Sequence, residues 1–354
     1  MEAAVSKADR FAEGLGLPVE IGKIDKALGR LWEEAGETKT RASLMNLVLY
    51  TEDREAMERN TQLIATIAGE HACRAILILA EPEASESGAK AWINAHCHLA
   101  GKRQVCSEQI SFHLTGDSAL SVPNVVFSHL DSDLPLYLWW QAEFHEPVTE
   151  EFWAWVDRVL FDSAQWKDLG HGFGVIEKIR KLAEARTTLG DINWGRLAGL
   201  RHGLAGVFDH PTALNNVDKL DRISIVYAPG FRATALLLLG WIAYRLKWAP
   251  QSLTGEIRYV SPSGLQVSCD LKESNGPPIS ACLLGADLYE FGLRHRSGHD
   301  LYEVIIDYGD TDEGVQVVHA TDLSEAGLLL NELARNARQS DYPGSIEALQ
   351  PLLQ

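Results

Sequence analysis

The stretch that most restricts the fold is Leu134–Trp140, LPLYLWW, which follows an acidic turn at Asp131-Ser132-Asp133. An apolar run of this length without a polar break reads as a strand buried on both faces. Pro135 near its start is compatible, because the first residues of a strand need not donate to the ladder. Trp139 and Trp140 are adjacent and must point to opposite faces of a sheet. One anchors the core, and the other meets a second layer, a cleft or a partner. Buried aromatics are mostly core, so the simpler expectation puts both under helices.

Two further buried strands precede this one, Arg41–Tyr50 (RASLMNLVLY) and Cys73–Ala80 (CRAILILA). Between them Asp53 can cap a helix over 54–68 with an inner stripe of Met57, Ile64, Ile67 and Ala68. The β-α-β unit implies parallel pairing and a right-handed crossover. Asn46 is polar within a buried strand and must find hydrogen-bond partners there. Two alternating strands follow. Ala91, Ile93, Ala95 and Cys97 share a face of the first, and Cys106, Glu108, Ile110 and Phe112 a face of the second. Such half-polar strands predict an antiparallel hairpin with one solvated face.

A helix carrying Phe152 and Trp153 and a strand over 158–162 complete a mixed α/β domain over residues 37–163. A loosely held N-terminal arm and a helix (1–36) precede it. Residues 164–190 read as a linker containing a helix over 175–185. Residues 191–354 carry a helix to Phe208, a strand at 222–227 and an apolar helix at 232–247. Close-set strands at 255–260, 265–271, 279–284, 287–294, 301–307 and 314–319 come next, and a helix over 323–337. This half is an α+β domain with an antiparallel sheet. The expected class is α/β and α+β: two domains, each a mixed sheet packed with helices.

The net charge of −17 argues against a nucleic-acid or anionic-membrane partner, since both need basic patches. The longest apolar run, Ala233–Tyr244, is bracketed by Arg232 and Arg245 and is too short to span a bilayer. With no apolar signal region in MEAAVSKADRF, a cytoplasmic location is expected. The five cysteines, Cys73, Cys97, Cys106, Cys269 and Cys282, form no CxxC pair, and reduced thiols are expected.

Chemistry-bearing motifs are sparse. His96, His98 and His113 sit where strand histidines can ligate a metal, but solvated strand histidines are commoner. GHGFG (170–174) matches neither the GxGxxG nor the GxxxxGK[ST] spacing and sits well behind its strand, so a flexible linker is expected. No GxSxG elbow or HExxH occurs. Arg41 and Arg74 lie at the amino ends of buried strands, whereas open sheets bind ligands at the carboxyl ends; they read as structural ion pairs. No catalytic residue, cofactor or metal is expected.

In order along the chain, RASLMNLVLYTED (41–53), HACRAILIL (71–79), VCSEQISF (105–112), SDLPLYLWWQ (132–141), LFDSAQW (160–166), DINWGRLAGLRHGLAGVFD (191–209) and LLLLGWIAYRLKW (236–248) resemble the glucose-6-phosphate dehydrogenase assembly protein family, OpcA. The combination of DLPLYLWW with DINWGRL carries the resemblance, which fades after Trp248. It implies a noncatalytic assembly factor and allosteric activator of glucose-6-phosphate dehydrogenase in the oxidative pentose phosphate pathway. The family brings no catalytic residues. Trp139, Trp140, Trp194 and Arg196 are the candidate partner-binding residues. The alternatives are a sugar-phosphate or nucleotide-binding enzyme using GHGFG and nearby arginines, and a metal-dependent protein built on the three histidines.

Overall fold

A computed structural model describes residues 14–35, 39–100, 103–144, 150–182, 187–253, 256–307, 316–319, 324–335 and 340–353. The chain forms two compact units, Met1–Phe161 with Glu177–Gly190, and Asp162–Ile176 with Asp191–Gln354. Each is a mixed sheet packed with helices, as the hydrophobic patterning predicts.

The first unit contains β1 (Leu17–Val19), α1 (Ile24–Ala35), β2 (Lys39–Arg41), β3 (Asn46–Thr51), α2 (Arg54–Glu70), β4 (Arg74–Glu81), β5 (Gly88–Ala100), β6 (Arg103–Thr115), α3 (Val122–His129), β7 (Leu136–Trp140), α4 (Glu150–Trp153) and β8 (Arg158–Phe161). Helix α5 (Leu169–Leu182) runs through the change of unit, and β9 (Thr188–Asp191) closes the sheet. Strand order is β1-β5-β6-β4-β3-β7-β8-β9, with β2 added on β6. Strands β6, β4, β3, β7 and β8 pair in parallel. Taken by chain order, the parallel strands run third-second-first-fourth-fifth. That is the order of doubly wound dinucleotide-binding sheets, and its direction of winding reverses between β3 and β7.

Strand β3 is buried along its whole length, and Asn46 at its start satisfies the demand made by burial. Its Nδ2 donates to the carbonyls of Asp131 and Leu134 at 2.9 and 3.1 Å, and its Oδ1 accepts from Asp131 N at 2.8 Å. The polar residue thus pins the acidic turn that launches β7. Asp53 caps α2 by accepting from Glu55 N.

Three expectations are corrected in this unit. First, β6 is an interior strand with β5 on one side and β4 on the other, so its polar residues have no solvated face. Ser107, Glu108, Gln109 and Ser111 are all buried. They are engaged internally: Gln109 Nε2 donates to Ser111 Oγ at 2.9 Å, Cys73 N donates to Ser107 Oγ at 3.1 Å, and Trp32 Nε1 donates to Glu108 Oε1, while Glu108 Oε2 is met by ion pairing alone. Arg41 lies 3.2 Å from Glu108, and Arg74 lies 3.9 Å from it, the structural ion pairs expected of those arginines. Second, Cys97 and Cys106 face each other across β5 and β6 and form a disulfide; Cys73, Cys269 and Cys282 are free. Sequence spacing does not reveal the pair, because which residues face each other depends on the register of the hairpin, and that is set by both strands together. Third, the arm is not wholly loose, because Leu17–Val19 pairs with β5.

The second unit contains α6 (Ile192–Arg196), α7 (Ala198–Val207), α8 (Pro211–Asn216), β10 (Arg222–Tyr227), α9 (Arg232–Leu246), β11 (Ala249–Leu253), β12 (Glu256–Val260), β13 (Gln266–Glu273), β14 (Ile279–Ala286), β15 (Tyr289–His295), β16 (Leu301–Asp307), β17 (Val317–His319), α10 (Glu325–Ala334) and α11 (Asp341–Leu349). Its sheet order is β11-β12-β13-β10-β14-β15-β16-β17. It is antiparallel except where β10 pairs in parallel with β13. One face buries Ile223, Ile225, Val267, Cys282, Leu284, Phe291 and Leu293. Helices α7 and α9 pack beside β15 and β10. Helix α9 is buried from Ala233 to Ala243, which is why it is apolar all round. The glycines of GHGFG fall inside α5 rather than in a flexible linker. A Cβ on Gly172 would lie 2.4 Å from the Trp166 ring, so this glycine serves close packing.

Candidate functional site

In sheets of this order the ligand crevice lies beyond the carboxyl ends of the strands where the winding reverses. Here that position falls at the ends of β3 and β7. In dinucleotide-binding sheets of this topology, a glycine-rich turn lets the pyrophosphate approach the helix N-terminus. The corresponding turn here is Thr51-Glu52-Asp53-Arg54-Glu55, with no glycine and three carboxylates. Asp53 occupies the N-terminal amide of α2 with its own carboxylate, at 2.9 Å from Glu55 N. Anionic side chains at a helix N-terminus take the place that a phosphate would need and repel it.

The rest of the crevice is filled from within. Tyr50 and Trp140 are register partners and stack with centroids 3.9 Å apart at 14°. Phe144 stacks on Trp140 at 5.6 Å, and Trp153 packs beside both. Asn60 of α2 and Gln141 exchange two amide hydrogen bonds, at 2.7 and 3.0 Å, and Gln141 N donates to Tyr50 O at 2.9 Å. Burial raises the Tyr50 hydroxyl well above its ordinary range, helped by the hydrogen bond to Glu52. Tyr50 therefore remains a neutral donor to Glu52.

The second unit holds a buried polar network at DINW. Asp191 caps α6, and its carboxylate accepts from Asn193 N, Ser163 N, Ser163 Oγ and Tyr342 OH at 2.9, 3.1, 2.7 and 2.9 Å. Asn193 in turn accepts from Thr234 Oγ1 at 2.7 Å and donates to Ser163 Oγ at 3.0 Å. Burial first, and then the negative charge of Asp162, push the Asp191 carboxyl up to about 7 against the pull of its hydrogen bonds. Arg196 makes a two-pronged pair with Asp162, at 2.8 and 3.1 Å. Arg201 lies over the Trp194 ring at 3.4 Å, and burial lowers its guanidinium to about 9.

The candidate partner-binding residues are therefore placed as follows. Trp139 and Trp194 are each 2% exposed and belong to the core. Trp140 is half-buried within the plug, and its Nε1 donates to Glu143 O at 3.2 Å. Arg196 is engaged by Asp162 and Asn193. The pairs Trp139–Trp140 and Trp194–Arg196 belong to different units. The candidate metal histidines do not converge. His113 lies opposite Lys90 and His96 opposite Ser107, six residues along the hairpin, roughly 20 Å of strand. His96 bonds Gln109 at 2.7 Å and His113 bonds Glu81 at 2.8 Å. Among the described residues no cluster of His, Cys, Asp and Glu has metal-ligand spacing. Tyr50, Asn60 and Gln141 are not among the sequence-derived site residues because strand order decides what surrounds them, and Tyr342 is not because its helix, α11, is not marked by the hydrophobic pattern.

Residues 64–178 match the N-terminal domain, and residues 187–346 the C-terminal domain, of the family described as the glucose-6-phosphate dehydrogenase subunit OpcA. The chain belongs to the OpcA family. It is 27% identical over 303 residues to OpcA of Synechocystis sp., covering 82% of this chain and 60% of that protein. It is 29% identical over 227 residues to OpcA of Nostoc punctiforme, covering 60% of this chain and 47% of that protein. Both relatives bear the name OxPP cycle protein. The chain thus spans about half to three-fifths of the length of these curated relatives. Among solved structures it is similar to a glucose-6-phosphate 1-dehydrogenase from Mycobacterium avium, with a TM-score of 0.49, 11% identity and coverage of 88% of this chain and 92% of that one. It is also similar to levoglucosan dehydrogenase in complex with NADH and L-sorbose, with a TM-score of 0.43, 9% identity and coverage of 88% and 90%.

No helix among the described residues is long and apolar enough to cross a membrane.

Proposed function

We propose that this OpcA-family chain is a noncatalytic assembly factor and allosteric activator of glucose-6-phosphate dehydrogenase, acting in the cytoplasm. The observation that carries the noncatalytic part is the filled crevice between β3 and β7. The carboxylates of Glu52, Asp53 and Glu55 and the Tyr50–Trp140 stack stand where a dinucleotide would need open, electropositive backbone. The family description, a glucose-6-phosphate dehydrogenase subunit, supports the choice of partner. An activator of this kind binds the competent state of the enzyme more tightly than the idle one. A preference of about tenfold, or about 1.4 kcal/mol, gives a measurable shift.

The test is a titration of the cognate dehydrogenase with this protein, following complex size and initial rate at subsaturating sugar phosphate. The expected result is a complex and a raised rate, with no oxidation of glucose-6-phosphate by this chain alone. Absence of a complex at micromolar concentrations together with an unchanged rate removes the reading. One observation favours a sugar-phosphate-binding enzyme instead: an open cavity of about 510 Å³ in the second unit, lined by Arg232, Arg258, Tyr227 and Ser268. Calorimetric binding of glucose-6-phosphate to this chain alone, abolished by Arg232→Ala, distinguishes that reading.

A further inference from the structure

The second sheet buries one face under helices, and its other face carries an ordered charge pattern. The register places three lines of side chains across the outer face. One line runs Arg258, Ser268, Arg222, Gly285, Glu290, Asp307. The next runs Asp270, Ser224, Leu283, Gly292, Ile305. The third runs Lys272, Val226, Ala281, Arg294, Glu303. The middle of the face, at Val226, Ala281, Leu283 and Ile305, is apolar and low in relief. The glycines keep it flat: at Gly292 a Cβ would lie 2.0 Å from the Cys282 carbonyl oxygen. The charged residues form the margins, and Arg222, Lys272, Glu290 and Arg294 are each at least 40% exposed. An apolar centre inside a charged rim is the anatomy of an association surface.

The charges are not mixed at random about β14. Among the described side chains of these three lines, β12, β13 and β10 contribute Arg258, Arg222, Lys272 and Asp270, three positive charges less one negative, a net of +2. Strands β15 and β16 contribute Glu290, Glu303, Asp307 and Arg294, three negative charges less one positive, a net of −2. A two-fold axis lying along β14 carries each half onto the opposite half of a second copy. It brings Arg222 of one copy to the height of Glu290 in the other, and Lys272 to the height of Glu303, each pair occurring twice. A surface that is complementary to itself in this way is the requirement for an isologous dimer. Two sheets stacked in this way lie about 10 Å apart, within reach of long side chains from both faces. We infer that the outer face of the second sheet docks a second copy of this chain, with the two-fold axis along β14.

The experiment uses the full chain and sedimentation velocity in the micromolar range, with circular dichroism to verify folding. The wild type sediments as a dimer. Glu290→Arg places like charges opposite each other twice, as does Arg222→Glu, and each variant alone weakens the dimer by at least about tenfold. An equimolar mixture of the two single variants restores it, because every crossing in the heterodimer then joins opposite charges. No rearrangement within one chain produces that rescue. A wild type that stays monomeric at tens of micromolar overturns the proposal. So does a mixture of folded single variants that remains monomeric. A monomer whose face variants lose binding to glucose-6-phosphate dehydrogenase also overturns it, and assigns the face to that partner instead.

Discussion

The two sheets place their accessible chemistry differently. In the first unit β3 is buried on both faces, and even the crevice at the strand ends is filled by Tyr50, Trp140 and Phe144. In the second unit the sheet buries one face and leaves Arg222, Glu290 and Arg294 accessible on the other. The first sheet has the strand order of a nucleotide binder with the ligand position occupied by its own side chains. The second offers a broad, flat, charged surface. A crevice suits a small molecule, and a flat face suits a protein. The contrast teaches that the strand order of a fold and the use of its surfaces are separable.

The largest effect that bears on this contrast is the loss of Trp139, which is 2% exposed beside β3. Trp139→Ala should destabilise the first unit by about 3–5 kcal/mol in urea titration. A variant as stable as the wild type would mean that this sheet is not packed as a closed core. Next in size is Asn46→Ala, which leaves the turn at Asp131 without three hydrogen bonds. A loss of about 1–3 kcal/mol is expected, because buried backbone groups lose their partner. An unchanged denaturation midpoint would show that the acidic turn is held by other means.

A smaller effect concerns pH. The folded Asp191 carboxyl titrates at about 7, above its ordinary 3.8, so the native state holds the proton more tightly than the unfolded chain does. The stabilisation from this group is fully present below about pH 4 and is lost as pH rises through about 7. Its contribution therefore falls with a slope of up to about 1.4 kcal/mol per pH unit in that window. Asp191→Asn should lack that slope, so the stability difference between variant and wild type should change with pH at up to that rate, measured by chemical denaturation from pH 4 to 8. A difference that does not vary with pH in that window would mean the carboxyl is ionised throughout. The smallest effect is Leu283→Ala on the outer face of the second sheet, expected within about 0.5 kcal/mol of wild type as a monomer. A cost comparable to that of Trp139→Ala would show that the face is covered within the chain, and would erase the contrast.

Much of the fold was legible because burial writes itself into periodicity. LYLWW and NLVLYT have no polar alternation and became interior parallel strands. The close-set alternating segments after Trp248 became the antiparallel sheet. The misreading of β6 has a physical cause. CSEQISF alternates as a half-solvated strand would, but Glu108 is matched by Arg41, Arg74 and Trp32, all distant in sequence. A polar residue paired inside a core looks the same in sequence as one facing water. The plug was illegible for a related reason. Tyr50 and Trp140 meet only because β7 lies beside β3, and local pattern does not determine strand order. The network at DINW was visible as a resemblance, yet its partner Tyr342 lies in a helix over 341–349 that sequence reading did not identify.

That last contact has a consequence for how the protein is made. Asp191 is enclosed only when Tyr342, 151 residues later, arrives to donate its hydroxyl. A ribosome adding about 5–20 residues per second needs roughly 8–30 s to cover that distance. Throughout that interval the carboxylate is uncovered and can remain hydrated and ionised, and α9 waits without α11 against Gly240. The nascent second half thus spends seconds with an apolar helix exposed and its closing element unsynthesised, which is the period when chaperone binding has most to offer it.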